Sequence, residues 1–164
     1  MDTTMNDTIQ GGLFMEIERK FLVQNLPDLA HYPHKKLIQG YISIDPVIRI
    51  RQMEEDYFLT VKSQGHMIRE EFELPITKEQ YESLLCKLEY SPIEKIRYFI
   101  PLENQLIAEL DVYKGPLEGL TTVEVEFSSS TTANTFEVPS WFGKDITHDN
   151  RYKNNHLASY GLPV

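Results

Sequence analysis

The hydrophobic and polar residues of the chain alternate in short runs that are separated by turns. The first run, FMEIERKFLV at 14–23, places Glu16, Glu18 and Lys20 on one side and apolar residues on the other. Such alternation is typical of a β-strand, because successive side chains point to opposite faces. Eight runs follow this rule and are predicted as strands: LFMEIERKFLV, KLIQGYISI, VIRIRQM, YFLTVKS, MIREEFELPI, PIEKIRYFI, LIAELDVY and TTVEVEFS.

Two segments depart from this alternation. In TKEQYESLLCKLE, at 77–89, apolar residues recur at helical spacing, and Thr77 with Gln80 has the spacing of a capping box. The C-terminal segment HDNRYKNNHLASYGL suggests a turn followed by a short helix. Eight strands with one or two helices favour a mainly β fold, a closed or nearly closed antiparallel barrel.

The charged residues of successive strands fall on one face of the predicted sheet, and the other face is mostly apolar. Like charges pair within a strand at i and i+2, about 7 Å apart on the same face. A merely solvated face would favour mixed signs. The residues on the charged face are Glu16, Glu18, Lys20, Gln39, Tyr41, Ser43, Arg49, Arg51, Thr60, Lys62, Arg69, Glu71, Glu73, Lys95, Arg97, Glu109, Asp111, Thr122, Glu124 and Glu126.

The alternation alone leaves two arrangements open. An apolar interior would give a small dry barrel with its charges in solvent, as antiparallel sheets commonly have one wet face. A charged interior would require the helix and the chain ends to cover the apolar outer face. It would also require compensation of every charge, because desolvation costs several kcal/mol per ion.

The chemistry of the charged face suggests a ligand that carries both signs. Clustered carboxylates bind hard divalent cations such as Mg²⁺ or Mn²⁺. Clustered arginine and lysine side chains bind phosphate, and arginine often does so with two parallel hydrogen bonds. A polyphosphate with bound metal would satisfy both clusters.

Composition narrows the range of partners and compartments. The 164 residues are enough for one domain with a sizeable core, and the net charge of −9 argues against a nucleic-acid or anionic-membrane partner. No apolar run of about 18 residues is present, so no membrane span is predicted. The single cysteine, Cys86, fits the reducing cytoplasm. The first residues, 1–13, are expected to be a disordered tail or residues added for expression.

The motifs resemble those of the CYTH superfamily, the triphosphate tunnel metalloenzymes. EIERK at 16–20 is similar to the N-terminal ExExK signature of that family. The motifs QGYIS, IRIR, LTVKS, REEFE, IEKIRY, ELDVY, VEVEF and NRYKNNHLA follow in the family's order. The resemblance extends over about residues 14–160 and is greatest with compact bacterial inorganic triphosphatases. It implies one domain, 14–164, in which an eight-stranded antiparallel tunnel has a charged interior and a few covering helices.

The resemblance also implies roles for individual residues. Lys20 and Tyr41 match a lysine and a tyrosine that are proposed to work together in catalysis. The residues that match phosphate-binding bases are Lys20, Arg49, Arg51, Lys62, Arg69, Lys95 and Arg97. The residues that match metal-binding acids are Glu16, Glu18, Glu71, Glu73, Glu109, Asp111, Glu124 and Glu126. Asp111 is the candidate for a second metal, and the C-terminal motif with Arg151 and Lys153 is expected to close one mouth.

The expected activity is hydrolysis of inorganic tripolyphosphate to pyrophosphate and phosphate, with one or two Mg²⁺ or Mn²⁺ ions, by a monomer or homodimer. Within the family, the alternatives are a thiamine or nucleoside triphosphatase and an adenylate cyclase that makes cyclic AMP from ATP. No base-stacking aromatic residue is apparent in phase with the charges, which argues against the cyclase. A polyphosphate-binding module without turnover is a further alternative, but it would not need the full set of acids.

Overall fold

The computed structural model describes residues 12–164, in which eight strands surround a central cavity and a ninth strand lies outside them. The strands are β1 (Gly12–Val23), β2 (His34–Ile44), β3 (Val47–Met53), β4 (Asp56–Lys62), β5 (Ile68–Ile76), β6 (Ile93–Pro101), β7 (Ile107–Tyr113), β8 (Thr121–Glu126) and β9 (Phe142–Asp145). The helices are α1 (Lys78–Leu85), α2 (Ser130–Asn134) and α3 (Asn154–Tyr160). Short 3₁₀ turns lie at Glu103–Gln105, Gly115–Leu117 and Asn150–Tyr152.

The first eight strands form a closed antiparallel ring, which confirms the predicted barrel. Their order is β5-β4-β3-β2-β6-β7-β8-β1, and β1 also pairs with β5. The long strand β1 closes the ring with its two halves. Its first half, from Gly12 to Ile17, pairs with β5, and its second half, from Glu18 to Leu22, pairs with β8. The ninth strand, β9, pairs with the end of β1 outside this ring.

The charged face lies inside the barrel and the apolar face lies outside, beneath a cover. Phe21 of β1 is 1% exposed and contacts Phe142 of β9 and Phe136, with ring centroids 5.1 and 6.4 Å away. Helix α1 covers another part of the outer face, where the rings of Tyr57 and Tyr81 lie 5.0 Å apart. The arrangement with a charged interior, which periodicity left open, is therefore the one that forms.

Helix α1 begins as predicted but ends earlier. The backbone N–H of Gln80 donates to Thr77 Oγ1 over 3.1 Å, and the Thr77 N–H donates to Gln80 Oε1 over 2.8 Å. The helix ends at Leu85 instead of continuing to 89. Beyond it, the Glu89 N–H donates to the carbonyl of Tyr41 over 3.0 Å, a bond to β2 that replaces a further helical turn.

Two covering elements and part of the N-terminus differ from the sequence-based prediction. Strand β9 and helix α2 are four and five residues long, too short to show a period in the sequence. Most of the predicted tail, 1–13, lies outside the described residues, but Gly12 and Leu13 belong to β1, where they pair with Glu73 and Phe72. The predicted C-terminal helix is present as α3. None of the helices within 12–164 has the length and apolar character needed to cross a membrane.

Candidate active site

The barrel interior contains a cavity of about 250 Å³, just below the roughly 300–1,000 Å³ that is usual for small-molecule sites. Every predicted site residue except Asp111 lines it. The acids on its wall are Glu16, Glu18, Glu71, Glu73, Glu109, Glu124 and Glu126, and the bases are Lys20, Arg49, Arg51, Lys62, Arg69, Lys95 and Arg97. Tyr41 also lies on the wall. The sequence therefore predicted most of the charged lining. It did not predict Phe14, Val47, His66 or, apart from Lys153 at the mouth, the lining residues between 146 and 155.

Carboxylates are concentrated on one side of the cavity, along β1, β7 and β8. Glu18 lies opposite Glu126 across the β1–β8 pair, and Glu109 lies opposite Glu124 across the β7–β8 pair. Like charges in directly opposite positions are destabilising. Burial, together with the charges of Glu124 and Glu16, raises the pKa of Glu18 to about 8. Burial and the charges of Glu16 and Glu109 also raise the pKa of Glu126.

This side of the cavity has the donor chemistry for a divalent metal. Its donors are carboxylate oxygens, which hard cations prefer, and a bound cation would relieve the repulsion that Glu124 and Glu16 exert on Glu18. Among residues 12–164, no group of three or more His, Cys, Asp or Glu side chains already has the geometry of a metal site. Glu16 and Glu124 are held by lysine and arginine side chains, so a metal would have to replace some of these ion pairs.

Glu16 is held by two bases on the opposite side from β8. Its carboxylate accepts hydrogen bonds from Lys62 Nζ over 2.9 Å and from Arg69 Nη2 over 2.9 Å. Burial alone would raise the pKa of Glu16, but the charges of Lys62 and Arg69 and hydrogen bonds with Glu71 and Lys62 lower it to about 2. Lys62 also lies 2.8 Å from Glu71. The carboxylate of Glu16 is thus ionised and fixed next to the phosphate-binding bases.

Lys20 and Arg97 both contact Glu124. Lys20 Nζ lies 2.9 Å from Glu124 Oε1, and Arg97 Nη2 donates to Glu124 Oε2 over 3.1 Å. Burial opposes charge on Lys20, but the Glu124 carboxylate outweighs it and raises the pKa of Lys20 above its ordinary value. Lys20 is therefore an ammonium group near neutral pH, suited to stabilising negative charge and not to accepting a proton.

Asp111 is the one predicted site residue that the structure does not bring to the cavity wall. Its side chain has 0% exposure and is bound by Lys95 and Arg97. The predicted role of Asp111 as a ligand of a second metal is not supported by this placement. The register explains the difference, because Arg97 lies directly opposite Asp111 across the β6–β7 pair.

Three arginines on the cavity wall have unused hydrogen-bonding capacity. Within the part of the chain that the structure describes, the buried Nε–H groups of Arg49, Arg51 and Arg69 have no hydrogen-bond acceptor. Buried donors are nearly always paired, so such a set requires explanation. A phosphate oxygen is a suitable acceptor, since arginine can bind it through Nε and a terminal nitrogen together.

Tyr41 and the C-terminal segment lie at one end of the cavity. The hydroxyl of Tyr41 accepts a hydrogen bond from Gln39 Nε2 over 3.0 Å. Lys153 Nζ donates to the carbonyl of Gly65 over 2.6 Å, and Asn155 Nδ2 donates to that of Ile44 over 3.3 Å. These bonds hold the C-terminal segment against the loop between β4 and β5 and against the end of β2, at the same end of the barrel, so this segment covers that mouth. Arg151, in the same motif, is exposed and pairs with Asp149 instead.

Phe14 and Tyr113 are aromatic residues near the cavity that the sequence-based prediction did not include. Phe14 lines the cavity and is 43% exposed, so an aromatic residue does lie in phase with the charges, contrary to expectation. Tyr113 is 1% exposed, and its hydroxyl donates to Asn154 Oδ1 of α3 over 2.6 Å. The signal was available in both cases: Phe14 lies two residues before Glu16, and Tyr113 lies two residues after Asp111.

The chain is similar in sequence to a protein family and to two proteins of known name. A family model described as "CYTH domain" matches residues 15–139. An inorganic triphosphatase of Nitrosomonas europaea is 44% identical over 146 residues, which cover 87% of this chain and 96% of that protein. An inorganic triphosphatase of Acetivibrio thermocellus is 34% identical over 150 residues, with 87% and 92% covered.

The chain is also similar in fold to solved structures. The crystal structure of an inorganic triphosphatase superimposes with a TM-score of 0.66 at 41% identity and covers 91% of this chain and 95% of its own. A structure from Pyrococcus horikoshii has a TM-score of 0.55 at 18% identity and covers 73% and 82%, which shows a shared fold only.

Proposed function

The chain belongs to the CYTH domain family, and from that premise we propose that it is an inorganic triphosphatase. It would hydrolyse tripolyphosphate to pyrophosphate and phosphate in the presence of Mg²⁺ or Mn²⁺. The observation that carries this proposal is a cavity lined by both charge signs, in which three arginine Nε–H groups lack acceptors. The two inorganic triphosphatases that are 44% and 34% identical support it.

The basic residues would bind and align the substrate. Arg49, Arg51 and Arg69 come from β3 and β5, and Lys95 and Arg97 come from β6, so they surround the cavity from different strands. Basic groups on several sides can hold a chain of phosphates straight and neutralise its oxygens. Most catalysis of phosphoryl transfer comes from such positioning and charge stabilisation.

The acidic residues would hold the cation. Glu16, Glu18, Glu124 and Glu126 form the candidate set, and Glu71, Glu73 and Glu109 are further acids that line the cavity. A bound Mg²⁺ or Mn²⁺ would neutralise phosphate oxygens and lower the pKa of a water molecule. In the hydrolysis itself, a water oxygen bonds to the terminal phosphorus, the bond to the bridging oxygen breaks, and pyrophosphate leaves. Lys20, as an ammonium, would stabilise the charge that develops, and Tyr41 would assist the proton transfer.

A substrate panel with Mg²⁺ or Mn²⁺ tests the proposal. Tripolyphosphate, ATP and thiamine triphosphate are supplied separately, and phosphate, pyrophosphate and cyclic AMP are measured together. We expect phosphate and pyrophosphate from tripolyphosphate, at a higher kcat/KM than for the organic triphosphates. Formation of cyclic AMP from ATP would replace the proposal by a cyclase. Binding of tripolyphosphate without any product would replace it by a binding module.

Phe14 favours a second candidate function, the hydrolysis of an organic triphosphate such as a nucleoside or thiamine triphosphate. Its ring is partly exposed on a wall that consists mostly of charged residues. An aromatic face can stack on a heterocyclic group, and such stacking contributes about 1–3 kcal/mol per base in proteins that bind single-stranded nucleic acid. Inorganic tripolyphosphate has no group that would use this surface.

Replacing Phe14 by alanine separates the two candidates. If an organic triphosphate stacks on the ring, Phe14→Ala should raise KM for ATP at least about fivefold, equivalent to about 1 kcal/mol, and leave KM for tripolyphosphate unchanged. Leu13→Ala is the matched control, because Leu13 is the next residue in β1 and points to the opposite face. Equal KM values for ATP in wild type and Phe14→Ala would rule out stacking on this ring.

Arg49→Ala should mainly weaken substrate binding. Arg49 is 6% exposed, and its Nη2 donates to Thr60 Oγ1 over 3.1 Å, which leaves Nε for a phosphate oxygen. Loss of one charge-assisted contact, roughly 1.5–3 kcal/mol, predicts an increase in KM for tripolyphosphate of about 10- to 100-fold. Steady-state kinetics measure this change, with Lys36→Ala, an exposed cation of β2, as the control. Unchanged KM and kcat would place Arg49 outside the substrate site.

A further inference from the structure

The fully buried carboxylate of Asp111 lies beneath two of the bases that line the cavity. Lys95 Nζ donates to Asp111 Oδ2 over 2.6 Å. Arg97 binds the same carboxylate with two parallel hydrogen bonds, Nε to Oδ1 over 2.7 Å and Nη2 to Oδ2 over 2.8 Å. We propose that Asp111 is a positioning residue that fixes Lys95 and Arg97 for triphosphate binding, and that it does not bind the metal. This inference rests on the proposed function.

Burial and existing hydrogen bonds leave Asp111 little capacity to bind a cation. Its side chain is 0% exposed and both of its oxygens already accept hydrogen bonds from cationic groups. A metal would have to displace Lys95 or Arg97 and would then lie next to the positive charge that it displaced. Among the glutamates on the cavity wall, Glu126 is exposed and makes no ion pair within residues 12–164, and Glu18 has only a 3.8 Å contact with Arg69, so these two offer a metal oxygen donors with less displacement.

The geometry shows what Asp111 does for Arg97. The paired hydrogen bonds to Nε and Nη2 fix the plane of the guanidinium group, because a carboxylate and a guanidinium group meet edge to edge in one plane. The same group also contacts Glu109 through Nη1 and Glu124 through Nη2, and both of these acids line the cavity. Arg97 is therefore held between a buried anchor and the cavity wall.

Lys95 depends on the same anchor. Its side chain is 1% exposed, and Asp111 is the one acid within ion-pair distance of it among residues 12–164. A buried ammonium without a counter-charge is disfavoured, so Asp111 also keeps Lys95 charged and oriented. The two bases are i and i+2 on β6, and Asp111 faces Arg97 on β7, so one carboxylate serves both.

Binding measurements with Asp111→Asn test the proposal independently of turnover. Isothermal titration calorimetry with tripolyphosphate alone and with Mn²⁺ alone separates the two possible roles. A positioning role predicts that affinity for tripolyphosphate falls about tenfold or more, while affinity for Mn²⁺ stays within about twofold of wild type. A tenfold loss of Mn²⁺ affinity, or an unchanged affinity for tripolyphosphate, would overturn it.

Glu94→Gln is the matched control. Glu94 precedes Lys95 on β6 but points outward, where it pairs with Lys36 in solvent, so neither affinity should change.

Because Asp111→Asn removes a buried counter-charge, thermal unfolding establishes whether the variant is folded. If it is not, Arg97→Lys takes its place, since lysine keeps the charge but cannot form the two parallel bonds. An unchanged tripolyphosphate affinity in Arg97→Lys would overturn the proposal as well.

The proposed function can fail separately from this inference. Absence of phosphate release from tripolyphosphate by the wild type would refute the triphosphatase proposal. The calorimetric comparison would still decide whether Asp111 supports anion binding or metal binding, because it needs no turnover.

Discussion

Glu124→Gln is expected to lower kcat/KM for tripolyphosphate at least about 100-fold while the barrel remains folded. Glu124 is 7% exposed and its two oxygens contact Lys20 and Arg97. The amide has nearly the same shape but no charge, so it weakens both ion pairs and removes one candidate metal ligand. A loss of this size corresponds to about 2.7 kcal/mol of transition-state stabilisation.

Kinetics at saturating Mn²⁺, together with thermal unfolding, measure the effect. Glu70→Gln is the matched control, because Glu70 is an exposed residue of β5 that points away from the cavity. It should keep wild-type kcat/KM. Glu16→Gln should behave like Glu124→Gln, since Glu16 forms ion pairs with Lys62 of β4 and Arg69 of the neighbouring strand β5. Full activity of either cavity variant at saturating metal would refute the assignment of these glutamates to the metal site.

Phe21→Ala is expected to destabilise the protein by about 3–5 kcal/mol, the usual cost of truncating a buried phenylalanine. Phe21 lies on the outer face of β1 and is 1% exposed beneath β9 and the segment that contains Phe136. The truncation removes the ring around which these covering elements pack. The arginine beside it, Arg19, would also lose a cation–π contact of 4.9 Å.

Urea unfolding gives the free energy of unfolding of Phe21→Ala and of its control. Leu13→Ala removes an apolar side chain from the same face of β1, but Leu13 is 71% exposed, so its truncation should cost less than about 0.5 kcal/mol. Similar free energies of unfolding for the two variants would mean that the outer face of β1 is not a buried core. The assignment of the charged face to the barrel interior and of the apolar face to its outside would then be wrong.

The strands and the charged residues of the cavity could be predicted from the sequence because both follow from the alternation of side chains along a β-strand, which repeats every two residues. Glu16, Glu18 and Lys20 could be assigned to one face without knowledge of the fold. Periodicity could not decide which face is inside, since the alternation is the same in both cases. The resemblance to a family made that choice, and the structure confirms it.

Other features depend on register and on short elements, which the sequence does not reveal. Asp111 shares a face with the other acids, but its position opposite Arg97 across the β6–β7 pair is set by strand pairing. That position determines that its carboxylate binds two cations. The cover of β9 and α2 was missed for a different reason, because elements of four or five residues show no period.

The closure of the ring by β1 has a consequence for how the chain folds. Strand β1 is synthesised before the other strands of the ring but pairs with β8. Lys20 therefore pairs with Glu124, a residue more than one hundred positions later in the sequence. Contacts between such distant positions raise the contact order, and folding rates fall as contact order rises. Most pairs that do not involve β1 join consecutive strands, which can pair soon after they are synthesised. The exception is the pair of β2 with β6, because β3, β4 and β5 lie between them in the sequence. The final seam therefore forms late, and during synthesis the edge of β1 remains open to non-native partners.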